Sequence, residues 1–122
     1  MTSNSVHLRV LNSLLFIRDA RARHIPEIDG NSSVWSTTSC VAVSCLPDCD
    51  GETEVTIGSA YEVKQRGSPL FDGRLSTPSR TVIVETVLAE RLLERNVPNL
   101  HTRVRIWTNG LRDTDRVIVG LE

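Results

Sequence analysis

Short runs of apolar residues recur along the chain, and in some of them apolar and polar residues alternate. In residues 53–63, Val55 and Ile57 alternate with Glu54 and Thr56, the period-two pattern of a strand with one buried face. Turn-forming Gly, Pro, Asp and Asn residues separate the runs, as they do between strands. The runs that indicate strands cover residues 6–17, 39–46, 53–63, 80–87, 101–109 and 115–121.

The number and spacing of these runs predict an all-β protein. We expect a single-domain β-sandwich over residues 1–122, with about seven or eight mostly antiparallel strands. Residues 115–121 are predicted to be an exposed edge strand, through which two copies could pair as a homodimer. The inward positions of the strands give the predicted core: Val10, Leu14, Val41, Val43, Val55, Ile57, Val82, Val84, Val104, Ile106, Val117 and Val119.

The segment 85–96 is consistent with two structures. Leu88, Leu92 and Arg95 lie at helical spacing, and the Ala, Glu, Leu and Arg residues around them favour a helix. The alternative is a bent hairpin that ends before Pro98, because the neighbouring segments are strands and a lone helix must find its own face to cover. These residues alone leave both structures open.

The composition is that of an ordinary globular protein. Of the 122 residues, 39% are hydrophobic and 24% are charged, and the formal net charge is −1. Such a charge gives no field that attracts nucleic acid or an anionic membrane, so we expect no direct nucleic-acid binding. The apolar stretch at residues 10–17 is far shorter than a membrane-spanning helix, so we also expect no membrane insertion. We expect a cytoplasmic protein whose cysteines are reduced.

Four acidic residues crowd one segment. Asp48, Asp50, Glu52 and Glu54 surround the Asp50-Gly51 pair, which predicts a solvent-exposed hairpin tip. The spacing does not fit a calcium-binding loop, because Gly51 arrives too early and no glutamate occupies the bidentate position. The tip is therefore a candidate contact for a basic partner.

The three cysteines lie in the same part of the chain. Cys40, Cys45 and Cys49 have the spacing C-x4-C-x3-C, without the CxxC motif of redox proteins. A zinc site needs four ligands, and Cys40 falls on the opposite strand face from Cys45. We expect two buried small hydrophobic side chains and a thiol in a turn, with no metal or other cofactor.

No catalytic motif occurs in the sequence. His7, His24 and His101 lie outside any recognisable motif, and the glycine patterns of phosphate-binding and dinucleotide-binding loops do not occur. His24 and His101 are candidates for an acid–base pair only if folding brings them together. We therefore expect a protein that is not an enzyme.

Residues 101–109 place two arginines and a tryptophan on one strand face. Val104 and Ile106 point one way, and Arg103, Arg105 and Trp107 point the other way. Tryptophan and arginine are enriched at the energetic centres of interfaces, so these residues are a candidate contact surface. The alternative is an ordinary solvated sheet face, with Trp107 partly tucked under a loop.

The order of segments in the second half resembles that of a known family. PLFDGRLSTPSR (69–80) is followed by VIVETVLAERLL (82–93), NVPNLHTRVRIWTN (96–109) and DRVIVGL (115–121). The Val97-Pro98 turn, the aromatic Trp107 near the end of the next strand and the short last strand are similar to the competence protein J family, small inhibitors of a membrane-bound DNA-entry nuclease. The resemblance implies an all-β bacterial protein with an extended 85–96 segment and no catalytic residues. The cysteine segment departs from the family pattern.

The leading hypothesis is a non-enzymatic binding protein that inhibits a nuclease or another toxic enzyme. Its acidic segment would imitate the phosphates that such an enzyme binds, or a sheet face would dock on the enzyme. The alternative hypothesis is a small-ligand-binding or enzymatic β-domain with a pocket lined by His101, Arg105 and a carboxylate. The predicted partner-binding residues are Asp48, Asp50, Glu52, Glu54, Arg103, Arg105 and Trp107.

Overall fold

The chain folds into strands joined by turns and short 3-10 helices. The computed structural model describes residues 3–22, 24–30, 32–64, 67–110 and 112–122. Single-turn 3-10 helices lie at Leu11–Ser13 and Asp48–Asp50. Over the described residues the strands are β1 (Asn4–Leu8), β2 (Leu14–Asp19), β3 (Val34–Ser36), β4 (Cys40–Ser44), β5 (Thr53–Ser59), β6 (Phe71–Ser76), β7 (Thr81–Thr86), β8 (Arg91–Asn96), β9 (His101–Thr108) and β10 (Arg116–Leu121).

The strands form two sheets that pack face to face. The first sheet has the order β1-β5-β10-β9-β6, and the second has the order β3-β4-β2-β7-β8. Neighbouring strands are antiparallel, except that β5 and β10 are parallel. The predicted all-β sandwich is confirmed, with ten strands among the described residues rather than seven or eight.

One of the additional strands arises because a turn divides a run that the apolar pattern presents as a single strand. The run at residues 6–17 was expected to be one strand, but Asn12 and Ser13 adopt φ values of 58° and 56° and divide it. The left-handed conformation breaks the extended chain there, so β1 joins the first sheet and β2 joins the second.

The core fills the space between the sheets. Every predicted core residue except Leu14 belongs to this buried cluster, which is built largely from β-branched side chains. Leu14 packs instead on the outer face of the second sheet with Phe16 and Ala42, while Leu15 points inward. Because side chains alternate along a strand, the turn at residues 12–13 decides which leucine faces the core, and the prediction for Leu14 was wrong.

The segment 85–96 is a hairpin, not a helix. β7 ends at Thr86 and β8 begins at Arg91. The Thr86 side-chain oxygen accepts hydrogen bonds from the backbone N–H groups of Leu88 and Glu90, both at 3.3 Å. Ala89 takes a φ of 60°, which completes the reversal. This confirms the extended structure that the family resemblance implied. Pairing of β7 with β2 holds the start of the segment as a strand, which outweighs the local preference for a helix.

The last strand is not an edge strand. β10 pairs with β5 on one side and with β9 on the other. The prediction that residues 115–121 offer a free edge for a homodimer was therefore wrong. The chain returns to the centre of the first sheet, where the buried Val117 and Val119 side chains complete the core.

Described parts of two long connections contact the outer faces of the sandwich. Val63, in the connection between β5 and β6, packs on Trp107 and Ile118 of the first sheet. On the second sheet, the Arg18 guanidinium donates to the backbone carbonyls of Asp19, Ala20 and Ala22, which holds the start of the connection from β2 to β3. No helix within the described ranges is long and apolar enough to cross a membrane.

Candidate functional site

The outer face of β6 and β9 carries a ladder of charged residues. Asp72 lies opposite Arg105, and Arg74 lies opposite Arg103. We call these four residues the β6–β9 face. Val104 and Ile106, which alternate with the arginines, are fully buried in the core, as the strand pattern predicted.

Two arginines of the β6–β9 face, Arg103 and Arg105, are already paired with carboxylates. Arg103 Nε and Nη2 donate to the two oxygens of Asp72 at 2.9 and 2.8 Å, a bidentate pair. Arg103 Nη1 and Arg105 Nη2 reach the carboxylate of Glu122 at 3.3 and 3.4 Å. The hydrogen bonds from Arg103 hold the pKa of Asp72 below its usual value, and the same pairing raises the pKa of Arg103. Most of the positive charge predicted here is therefore neutralised within the protein.

Trp107 lies under the connection between β5 and β6. Its side chain is only 3% exposed, and its indole Nε1 donates to the carbonyl of Gly67 at 3.2 Å. The Arg105 guanidinium lies 5.7 Å from the centre of the indole ring. A partner can contact Arg105 directly. It could contact the indole ring only if the connection between β5 and β6 moved away, so Trp107 packs beneath the surface.

An exposed tyrosine lies next to the charged ladder. Tyr61 is 85% exposed. Its hydroxyl lies near the Glu122 carboxylate, whose negative charge raises the pKa of Tyr61 above its usual value. No sequence motif marks this residue, and only the return of β10 beside β9 brings Glu122 within its reach.

The acidic segment is not a hairpin tip. It connects β4 of the second sheet to β5 of the first, so it crosses from one layer of the sandwich to the other. The 3-10 helix Asp48–Asp50 makes the crossing, and Gly51 follows with a φ of 143°. The hairpin prediction was wrong because Asp50-Gly51 reports a tight turn but not which strands the turn joins.

Folding adds two acidic residues that the sequence analysis did not include. The backbone N–H of Leu46 donates to the carbonyl of Thr114, and the N–H of Glu54 donates to the carbonyl of Asp115, both at 2.8 Å. These bonds bring the connection between β9 and β10 alongside the acidic segment. We call the resulting cluster the acidic end; its members are Asp48, Asp50, Glu52, Asp113 and Asp115.

Glu54 belongs to a different surface. It points from β5 onto the outer face of the first sheet, where its carboxylate lies 3.2 Å from both His7 and Arg116. Asp50 and Glu52, by contrast, are exposed and form no ion pair with any residue in the described part of the chain. The four acidic residues predicted as one contact are therefore split between the acidic end and an ion-paired sheet face.

The cysteines occupy three different environments. Cys40 is buried on the outer face of the second sheet, Cys45 is buried in the core, and Cys49 is exposed in the turn. Burial raises the pKa of Cys40 to about 12 and that of Cys45 to about 11, so both are neutral thiols at physiological pH. Within the described ranges, no group of three or more His, Cys, Asp and Glu side chains is placed to hold a metal ion.

His101 lines a small pocket at the start of β9. The pocket has a volume of about 300 Å³, and Arg74, Asn99, Arg103 and Glu122 complete its lining. The alternative hypothesis placed Arg105 with His101, but the arginines found there are Arg74 and Arg103. His24 is exposed on the connection between β2 and β3.

The fold is shared with an inhibitor of known structure. No protein-family model and no curated protein matches the sequence. A solved structure does match: the crystal structure of ComJ, inhibitor of the DNA-degrading activity of NucA, from Bacillus subtilis. The two folds superpose with a TM-score of 0.67 over 97% of this chain and 93% of that chain, at 10% sequence identity. The chain has the fold of ComJ.

The likeness to ComJ confirms the fold that the family resemblance implied. Because it spans 97% of this chain, it includes both sheets of the sandwich. At 10% identity it concerns the path of the backbone and assigns no role to individual side chains.

Proposed function

We propose that this protein is a non-enzymatic inhibitor that binds a nuclease. The observation that carries the proposal is the fold, which is shared over 97% of the chain with ComJ, an inhibitor of the DNA-degrading activity of NucA. A fold by itself permits many functions, so the choice of binding surface rests on the charges of this chain.

The acidic end is the proposed primary contact. A nuclease must attract the phosphates of DNA, and its substrate cleft is accordingly expected to carry positive potential. Asp50 and Glu52 are exposed and form no ion pair with described residues, so their charge is available to such a cleft. Complementary charges speed association and exclude wrong partners, which suits an inhibitor that competes with DNA.

The β6–β9 face is the proposed secondary contact. Arg103 is held by Asp72 and Glu122, so its guanidinium presents one fixed geometry to a partner. The side chains of Arg103 and Asp72 are 44% and 39% exposed, which leaves them accessible at the rim of an interface. A rim contact of this kind adds less affinity than a desolvated central one.

The proposed setting is the bacterial cytoplasm. The structure shows Cys40, Cys45 and Cys49 as free thiols, which is the state that a reducing compartment maintains.

The test is inhibition of a nuclease encoded near the gene for this protein. The purified nuclease is mixed with the inhibitor in increasing molar ratio, and degradation of plasmid DNA is followed on a gel. We expect inhibition to be complete near one inhibitor per nuclease. Failure to bind or inhibit any nuclease of the source organism, in this assay and in capture from its lysate, contradicts the proposal.

Charge-reversal variants then test the surface. Asp50→Lys combined with Glu52→Lys should weaken inhibition by at least tenfold, mainly through slower association at low salt. Glu27→Lys combined with Glu94→Lys makes the same change in net charge at exposed positions elsewhere and should have little effect. If both pairs weaken inhibition equally, net charge rather than the acidic end is responsible. If Arg103→Glu alone abolishes inhibition, the primary contact is the β6–β9 face.

A further inference from the structure

The pocket beside His101 has a chemistry that the nuclease-inhibitor proposal does not use. It lies where β6 ends and β9 begins, at the opposite end of the first sheet from the acidic end. Its lining joins Arg74 from β6 to His101 and Arg103 from β9, with Asn99 from the preceding turn. Strands and a tight turn thus hold the lining residues in place.

The strand register places like charges side by side at this pocket. Arg74 lies directly opposite Arg103 on the same face of the sheet. Like charges in this relationship destabilise an antiparallel pair. Asp72 and Glu122 compensate Arg103, but among the described residues no carboxylate forms an ion pair with Arg74. The strand pair therefore carries an arginine whose charge an added anion would balance.

The lining is rich in hydrogen-bond donors. Arg74, Asn99 and His101 line the pocket and have side chains that carry N–H donors, whereas the Arg103 nitrogens already bond to Asp72 and Glu122. The side-chain carboxylate of Glu122, which also lines the pocket, already accepts from Arg103 and Arg105. Several donors from separate side chains match the several acceptor oxygens of a tetrahedral oxyanion better than the two coplanar oxygens of a carboxylate.

We propose that this pocket binds a phosphate group. Arg74 is the principal ligand because it lacks an ion pair with described residues, and Asn99 and His101 orient the bound oxygens. The volume of about 300 Å³ exceeds that of a phosphate ion, which leaves room for a group esterified to it. The pocket shares Arg74 and Arg103 with the β6–β9 face. Phosphate binding is nevertheless tested on the protein alone, so its outcome is distinguishable from that of the inhibitor proposal.

The test is a titration of the ¹⁵N-labelled protein with inorganic phosphate, at constant ionic strength set with sodium chloride. We expect saturable shifts of the backbone amides of Arg74, Asn99 and His101, and of the Arg74 Nε–H resonance. Arg74→Gln should weaken binding at least tenfold. Arg112→Gln, a matched change of an exposed arginine in the connection between β9 and β10, should leave binding unchanged.

Two further measurements complete the test. Glu122→Gln removes a negative charge beside the pocket and should tighten phosphate binding severalfold. If Arg74 affected binding only by stabilising the fold, this tightening would not be expected. A titration with a nucleoside monophosphate separates the sources of the phosphate: equal affinity means that the phosphate alone is recognised, and tighter binding with additional shifts means that an esterified phosphate is. Shifts that do not saturate, that occur equally at Arg112, or that survive Arg74→Gln overturn the proposal.

Discussion

Arg18 on β2 and Glu85 on β7 form a bidentate ion pair on the outer face of the second sheet. Arg18 Nε lies 2.5 Å from Glu85 Oε1, and Nη2 lies 3.2 Å from Oε2. The side chains are only 16% and 10% exposed, and the same guanidinium holds three backbone carbonyls of the following connection. One arginine therefore joins two strands and a loop.

Removing Glu85 should destabilise the protein strongly. Glu85→Ala leaves the Arg18 charge largely buried without its partner, and we expect the free energy of unfolding to fall by about 2–3 kcal/mol. Urea denaturation followed by circular dichroism measures the change. Glu94→Ala breaks the exposed pair with Arg91 and should cost less than about 0.5 kcal/mol, so equal losses would contradict a special role for the buried pair.

The pairing of Asp72 with Arg103 should be visible in the titration of the Asp72 carboxyl group. Because the folded-state pKa of Asp72 is lowered, the pairing stabilises the fold above the usual aspartate pKa of about 3.9 and is lost as the pH falls through the folded value. Carbon-13 NMR of the carboxyl group measures the pKa directly. In Arg103→Gln we expect the pKa of Asp72 to rise towards its usual value; an unchanged pKa would mean that Arg103 is not its cause.

The cysteines should differ in reactivity. Cys49 is exposed, whereas burial raises the pKa values of Cys40 and Cys45 to about 12 and about 11. Ellman's reagent at neutral pH should therefore modify Cys49 rapidly in the native protein and reach the other two only after unfolding. Rapid modification of the Cys49→Ser variant would show that a buried thiol is accessible.

Close packing of Trp107 should make Gly120 intolerant of a larger residue. A Cβ atom at Gly120 would lie 2.9 Å from Trp107 Cζ3 and 3.3 Å from the Ala60 backbone. Gly120→Ala should reduce the free energy of unfolding by about 1–3 kcal/mol and change the tryptophan emission. Gly110→Ala, where the nearest atom lies at an ordinary 3.5 Å, is the control and should be nearly neutral. Equal stability of the two variants would contradict tight packing at Trp107.

Short sequence patterns could not predict several parts of the candidate site. The alternation of Arg103 and Arg105 with Val104 correctly predicted which side chains point into the core and which point to the outer face of the sheet. It did not reveal that Asp72 and Glu122 neutralise the arginines, because those carboxylates come from β6 and from the residue after β10. Asp113 and Asp115 join the acidic end through backbone bonds to residues far away in the chain, which no short window contains.

The amino-acid sequence by itself determined the predicted core except Leu14, and the apolar runs that contain β1, β2, β4, β5, β7, β9 and β10. Period-two alternation at positions such as Val55 and Ile57 requires one face to be buried, and this constraint is local. The tertiary structure alone decided that β10 lies in the middle of a sheet, that residues 85–96 form a hairpin, and that Leu15 rather than Leu14 faces the core. These outcomes depend on pairing between distant segments, where the free energy of burying two whole sheets against each other outweighs the preference of any single turn or helical segment.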